Sequence, residues 1–249
     1  MNLLKTSLCL IGLIVWQSNC RAVNNAEICN QNGITYGKHQ YYDEAIECFT
    51  QAIALQPDYA EAYYNMGVAY GNKQDYAKAI ECYQKAVKLD PSHAGPYYNM
   101  GLAYAEGKKD YDKAIECYQK AVKLEPDYTE IYCSMGFAYT NKQYYDKAID
   151  CYKKAVELDP GFVEAYYQMG IAYYYKQDYD KAIECYKKSI ELKPDYAEVY
   201  YNMGVAYKDK QEIDKAIQCC KKAARLGNKG AQQWLDKYQQ WLNNNCNRK

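Results

Sequence analysis

Along most of the chain, apolar residues return at helical spacing and are interrupted by short polar turns. Counting from Ala60, Tyr63, Met66, Gly67 and Tyr70 form one stripe at three- and four-residue intervals, the spacing of a single helix face. "GNKQD" follows, and then Tyr76, Ala79, Ile80, Tyr83, Ala86 and Val87 form a second stripe. A polar link this short predicts two antiparallel, neighbouring helices. The pair of stripes recurs. "AYYNMGVAY" from Ala62 returns as "PYYNMGLAY", "IYCSMGFAY", "AYYQMGIAY" and "VYYNMGVAY", with a worn copy, "ICNQNGITY", from Ile28. Gly33, Gly67, Gly101, Gly136, Gly170 and Gly204 mark the copies at steps of 34, 34, 35, 34 and 34 residues. The second stripe keeps the same step, and the odd residue falls in "AEGKKDYD", where a longer turn is expected. A fixed period in this range predicts a stack of helix pairs, each hairpin completing its core only against its neighbours.

With Ala60 as position 1 of its unit, glycine stands at position 8 and alanine at 20 and 27, small residues that let two helices approach closely. Pro57, Pro91, Pro126, Pro160 and Pro194 close the units. The pattern resembles the tetratricopeptide repeat, whose signature falls on Tyr63, Met66, Gly67, Tyr70, Ala79, Tyr83, Ala86 and Pro91 and on their equivalents. Tyrosine mostly replaces the tryptophan that the family prefers at position 4, and the first unit has Cys29 there. The resemblance covers about Ala26 to Gly230. It implies an all-α, right-handed α-α superhelical solenoid of six helix-turn-helix repeats, at 26–59, 60–93, 94–128, 129–162, 163–196 and 197–230. The last unit decays, with Ile213, Cys220 and Asn228 in place of Tyr, the aromatic and Pro. After it, "AQQWLDKYQQWL" predicts a capping helix over 231–242, with Trp234, Leu235, Tyr238, Trp241 and Leu242 on one face and 243–249 as a tail.

On a wheel of the first helix, positions 2, 5, 6, 9 and 13 fall opposite the apolar stripe. A merely solvated face would carry Lys and Glu. This one carries Tyr64, Tyr98, Tyr167 and Tyr201 at position 5, and Asn65, Asn99, Gln168 and Asn202 at position 6. Val68, Leu102, Phe137, Ile171 and Val205 stand at position 9. In the tetratricopeptide family this face lines a concave groove that holds extended peptides or partner helices, so these thirteen residues are the implied partner-binding set. Tyrosine offers contact area at small entropic cost, and an amide can bond a partner's backbone. The family's chaperone-tail binders use a clamp of Lys and Asn. Positions 2, 5 and 6 hold no Lys or Arg here, so that activity is not implied. Asp58 with Glu61, Asp127 with Glu130 and Asp195 with Glu198 have capping-box spacing and are expected to start first helices.

Charge narrows the partners. Lys plus Arg equals Asp plus Glu at 31 each, without a basic stripe, which argues against nucleic acid. On the second helices, Asp150 and Glu184 precede Lys154 and Lys188 by four residues, a supportive spacing on a solvated face.

The N-terminus has the three-part layout of an export signal: "MNLLKTS", the apolar "LCLIGLIVW" and the polar "QSNCRA". Cleavage after Ala22 would free a secreted, periplasmic or envelope protein of net charge −2, since Lys5 and Arg21 leave and no acid does. Cleavage before Cys20 would leave a lipidated cysteine, although Gln17, Ser18 and Asn19 match that motif poorly. Membrane contact is expected only through such a lipid or an uncleaved signal.

Cys48, Cys82, Cys117, Cys151, Cys185 and Cys219 all occupy position 23. Equivalent positions on stacked repeats are about 8–10 Å apart or more, beyond disulfide reach, and a ladder does not converge on one metal ion. Buried free thiols are therefore expected. Cys29, Cys133, Cys220 and Cys246 leave room for a disulfide. His39 and His93 are the only histidines, and no nucleophile or phosphate-loop motif is present. The sequence thus describes a non-enzyme without a cofactor, acting as a scaffold or adaptor. The alternatives are a self-associating structural protein and a thiol-redox or metal-responsive module.

Overall fold

Each predicted hairpin is a pair of antiparallel helices in the computed structural model, which describes residues 23–246, with side chains as far as Asn244. The export signal, Cys20, the side chain of Cys246 and the last three residues lie outside the described residues. Helix α1 spans residues 23–38. It is followed by α2 (Tyr42–Leu55), α3 (Ala60–Asn72), α4 (Tyr76–Leu89), α5 (Ala94–Ala103) and α6 (Tyr111–Leu124). Then come α7 (Thr129–Asn141), α8 (Tyr145–Leu158), α9 (Val163–Tyr175), α10 (Tyr179–Leu192), α11 (Ala197–Asp209), α12 (Ile213–Arg225) and α13 (Lys229–Cys246). Among the described residues every regular element is helical. The chain forms two units, one ending at Pro126 and one starting at Asp127.

Local chemistry sets the helix ends. Asp75, Asp110 and Asp178 cap α4, α6 and α10 by accepting the backbone N–H of Lys78, Lys113 and Lys181 at 3.3, 3.2 and 3.3 Å. The Nζ of the same lysines pairs with these carboxylates at 3.0, 3.1 and 2.7 Å. The residue before a unit-closing proline is pushed out of helical geometry, so α4 stops at its C-cap Asp90 (φ −132°) and α10 at Lys193 (φ −133°). Within each hairpin the turn passes through a left-handed residue: Gln40, Gln74, Gln143, Gln177 and Gln211 at φ 62–64°, and Lys109 at 51°. The next N–H returns to a carbonyl five residues back, as from Asp75 to Tyr70 at 2.9 Å.

The extra residue of the third repeat is not in the turn, as the spacing suggested. It sits in the helix, where α5 widens into a π-helical turn over Tyr104–Lys108. The N–H of Asp110 therefore reaches six residues back, to Tyr104, at 3.0 Å. The capping boxes also differ from expectation. The caps of α3, α7 and α11 are Tyr59, Tyr128 and Tyr196, without a side-chain capping bond. Asp58, Asp127 and Asp195 lie one residue too early.

In both units the core is built from alanine and tyrosine. Ala45, Ala79 and Ala114 in the first, and Ala148, Ala182 and Ala216 in the second, are fully buried. So are Tyr118, Tyr152 and Tyr186, whose rings fill the space that glycine leaves on the facing helix. A Cβ added at Gly67 would lie 2.5 Å from Tyr83 Cε1, and one at Gly170 would lie 2.5 Å from Tyr186 Cε1. In the decayed last repeat the partner of Gly204 is Cys220, with Sγ at 2.9 Å.

Beyond it, α13 runs past the expected 231–242 to Cys246. Asn228 starts it by accepting the N–H of Ala231 at 2.8 Å, and the polar "NNN" contains no helix breaker. Trp234, Tyr238 and Trp241 stack along it, with centroids 5.6 and 6.0 Å apart. On the second helices, Lys154 and Lys188 pair with Glu157 and Glu191 at 3.5 and 2.7 Å, three residues ahead rather than four behind. Ion pairs also link successive repeats at the turn edge: Lys73 with Asp43, Lys176 with Asp146, and Lys210 with Asp180.

Candidate functional site

The repeated Tyr-Asn pair first serves the stack itself. The position-6 amide of one repeat donates to the position-5 side chain of the repeat before it. Asn65 Nδ2 donates to Asn30 Oδ1 at 3.1 Å, Asn99 Nδ2 to Tyr64 Oη at 3.1 Å, and Asn202 Nδ2 to Tyr167 Oη at 2.9 Å. Acids of position 2 join this network. Asn30 Nδ2 donates to Glu61 at 3.3 Å, and the Tyr196 hydroxyl donates to Glu164 at 3.1 Å. Burial, followed by nearby carboxylates, pushes the phenols of Tyr167 and Tyr196 up, so both remain neutral donors.

This geometry corrects the wheel. Tyr167 is only 5% exposed and belongs to the core around Ile183, Tyr186 and Val199. Tyr64 packs against the core cluster that holds Tyr83, the two ring centroids 6.2 Å apart. A wheel assumes one buried side, whereas the first helix packs on its own second helix and on helices of the adjacent repeat. Position 5 is therefore a packing residue whose hydroxyl edge reaches the groove. The rest of the predicted set remains accessible. Asn65, Val68, Tyr98, Asn99, Leu102, Gln168, Ile171, Tyr201, Asn202 and Val205 are half-buried, and Phe137 is 44% exposed. Cys133 stands at position 5 of the fourth repeat and is buried.

Between repeats this face opens into pockets of one design. In the first unit, one of about 270 Å³ includes Ile34, Phe49, Asn65 and Val68 in its wall. The next, of about 190 Å³, has Val68, Tyr83, Asn99 and Leu102 at the corresponding places. In the second unit, Ile171, Tyr186, Asn202 and Val205 line a pocket of about 110 Å³. Each combines two position-9 aliphatics, the second-helix aromatic as floor, and the position-6 amide. The floor residues Phe49, Tyr83 and Tyr186 were missed in the sequence, because they read as core of the second stripe. Glu106 was missed as well; the π-helical turn carries it into the wall of the 190 Å³ pocket, where it accepts from Tyr76 Oη at 3.4 Å.

The thiols lie elsewhere. Cys82, Cys117, Cys151, Cys185, Cys219 and Cys220 are buried and unpaired, as is Cys133; Cys29 and Cys48 are partly exposed and unpaired. Burial pushes Cys82, Cys151 and Cys185 up to about 12 and Cys117 and Cys219 to about 11, so they hold almost no reactive thiolate at neutral pH. Among the described residues, no cluster of three or more His, Cys, Asp or Glu could hold a metal ion. No described helix is long and apolar enough to cross a membrane.

Sequence profiles described as "TPR repeat" match residues 33–74, 108–143, 138–176 and 170–211. Others described as "Tetratricopeptide repeat" match 60–93 and 197–226, and 82–116. The chain belongs to the tetratricopeptide repeat family. Its solved structural relatives agree. MamA is 32% identical over 67% of this chain and 97% of its own, with a TM-score of 0.62. YrrB, described as a TPR protein with an unusual peptide-binding site, is 26% identical over 77% of this chain and 99% of its own, at 0.65. PilF of Pseudomonas aeruginosa, 19% identical over 87% of this chain and 99% of its own, shares the fold at 0.72. No curated protein sequence matches significantly.

Proposed function

We propose that this tetratricopeptide protein is a non-catalytic scaffold that holds an extended peptide or a segment of a partner protein on the position-6 and position-9 face of its first helices. The observation that carries this reading is the recurrence of one pocket design at successive repeat junctions. A surface formed only by packing has no reason to keep an aliphatic wall, an aromatic floor and a half-buried amide together. The peptide-binding site ascribed to YrrB, whose chain aligns over 99% of its length, supports the reading. The layout of residues 1–22 supports a site of action outside the cytoplasm, and N-terminal sequencing of native material tests that part. Intact Met1 in a cytosolic fraction would refute it.

The partner test uses the chain from Val23 as bait on the native envelope or secreted proteins. Val68→Asp with Leu102→Asp, and separately Ile171→Asp with Val205→Asp, should weaken a captured partner at least tenfold with helicity unchanged. Lys85→Ala with Lys120→Ala, on the second helices, should change affinity little. Equal affinity for all variants would place the partner on another face. The stacked aromatic stripe of α13, with Trp241 58% exposed, favours self-association as the second reading. Light scattering on Trp241→Gln against the parent chain tests it.

A further inference from the structure

Resting on that groove reading, the structure assigns the occupant a chemistry: an extended, basic peptide with an apolar side chain at every third residue. Charge and spacing carry this together.

The face that holds the pockets is acidic. Glu27, Glu61, Glu130, Glu164 and Glu198 stand at position 2, and positions 5, 6 and 9 hold no cation. Glu61, Glu130, Glu164 and Glu198 lie in the first turns of their helices, where an acid also suits the helix dipole. Glu61 and Glu164 join the amide and tyrosine network beside the pockets. In the first unit, Glu106 forms part of a pocket wall. In the second, Asp209 accepts from the hydroxyl of Tyr174, itself a pocket residue, at 2.6 Å. Cations also approach this face, Lys193 among them, its Nζ 4.8 Å from the Tyr196 ring. Lys38 lines the first-unit pocket, and Lys208 is paired with Asp209 at 3.0 Å. The balance on the face of each unit is negative, although the whole chain is neutral. Basic side chains are drawn to such a surface and acidic ones repelled, an effect worth more in on-rate and selectivity than in raw affinity.

The spacing follows from packing. First helices of adjacent repeats touch, α3 with α5 and α9 with α11, which sets successive pockets about 10 Å apart. A polyproline II chain advances about 3.1 Å per residue with three residues per turn, so residues i and i+3 lie on one face and span one repeat, whereas a β-strand would turn them to opposite faces. In the first unit the two pockets share Val68 as a common wall. Apolar side chains at i and i+3 can therefore drop into both while the half-buried Asn65 and Asn99 face the backbone between them. The residues between the anchors point toward the acidic rim, where Lys or Arg is matched.

Fluorescence anisotropy on the chain from Val23 tests this with three labelled peptides: four Leu-Lys-Pro triplets, four Leu-Glu-Pro triplets, and the residues of the first peptide with the leucines gathered in one block. The first should bind at least tenfold more tightly than either of the others. Its affinity should fall at least fivefold between 50 and 500 mM salt. Glu106→Gln with Glu198→Gln should weaken it severalfold. Val68→Glu should weaken it too, although it adds a favourable charge, because the anchor pocket is lost. Equal binding of the acidic triplet peptide, still sensitive to Ile171→Asp, would overturn the charge assignment while leaving the groove reading intact. Equal binding of the blocked-leucine peptide would overturn the spacing. Binding of none of the three would overturn the assignment as a whole, with the groove reading then judged on the captured partner alone.

Discussion

Replacing Gly170 by alanine tests the idea that position 8 is glycine because an aromatic ring occupies its side-chain space. In isolation the change favours the helix by about 1 kcal/mol. Here the new Cβ would lie 2.5 Å from Tyr186 Cε1 and 2.6 Å from Cδ1, whereas carbon pairs sit best at about 3.5–4.0 Å. The ring must retreat by about 1 Å, yet Tyr186 is 1% exposed and is flanked by Tyr167 at 6.3 Å between centroids. Overpacking of this kind costs about 1–3 kcal/mol, so after the helix gain of about 1 kcal/mol Gly170→Ala should destabilise by up to about 2 kcal/mol net. Gly204 is the internal comparison: one atom, Cys220 Sγ at 2.9 Å, lies within 3.0 Å, with the Ala216 carbonyl oxygen and Cys219 Cβ at 3.3 Å, so Gly204→Ala should cost less than Gly170→Ala. Urea unfolding followed by circular dichroism reads both. A double-mutant cycle with Tyr186→Leu should show a favourable coupling of about 1–3 kcal/mol, since trimming the ring removes the clash. If Gly170→Ala left the midpoint as high as Gly204→Ala does, or the two changes at 170 and 186 were additive, the steric account would be wrong.

Ser189 occupies the position that is alanine in the other repeats, and its buried hydroxyl has no hydrogen-bond partner. Ser189→Ala should therefore raise the urea midpoint, by about 1 kcal/mol or more. Gln177 holds φ 63°, a region costing a side-chain-bearing residue about 1–2 kcal/mol. Gln177→Gly should stabilise by about 0.5–1 kcal/mol after the greater chain entropy of glycine is deducted, and an unchanged or lower thermal midpoint would contradict this. The side chain of Lys181 holds Asp178 below the usual carboxylate range. The stability it contributes is thus present above an unfolded pKa of about 3.9 and disappears as pH falls through the depressed folded value. Asp178→Asn should be less stable than the parent at pH 7, by less than about 1 kcal/mol for so exposed a pair. The gap should narrow in unfolding curves as pH falls below about 3.9.

The helix-pair architecture was legible because period, glycine, alanine and proline all recur in register. The accessibility of positions 9 and 6 was legible for the same reason. What escaped had a three-dimensional cause in each case. Tyr167 looked solvent-facing because a wheel describes a helix with one neighbour, and this helix has several. Tyr83 and Tyr186 looked like plain core because a pocket floor is contributed by a different helix from its walls. The extra residue near Glu106 could be counted but not located, since a loop residue and a widened helical turn have the same sequence length. Asp58 and Glu61 had capping spacing, but the aromatic Tyr59 took the cap position.

The stitches from one repeat's amide to the position-5 side chain of the repeat before it each span 35 residues, and the turn-edge ion pairs each span 30. The entropy of closing a loop grows only with the logarithm of its length, and here that length does not grow as repeats are added. Each new repeat meets the same closure cost as the one before it. Within each unit, ordering can begin at any repeat and spread to its neighbours in either direction, so the folding rate should depend on the best local nucleus more than on the number of repeats.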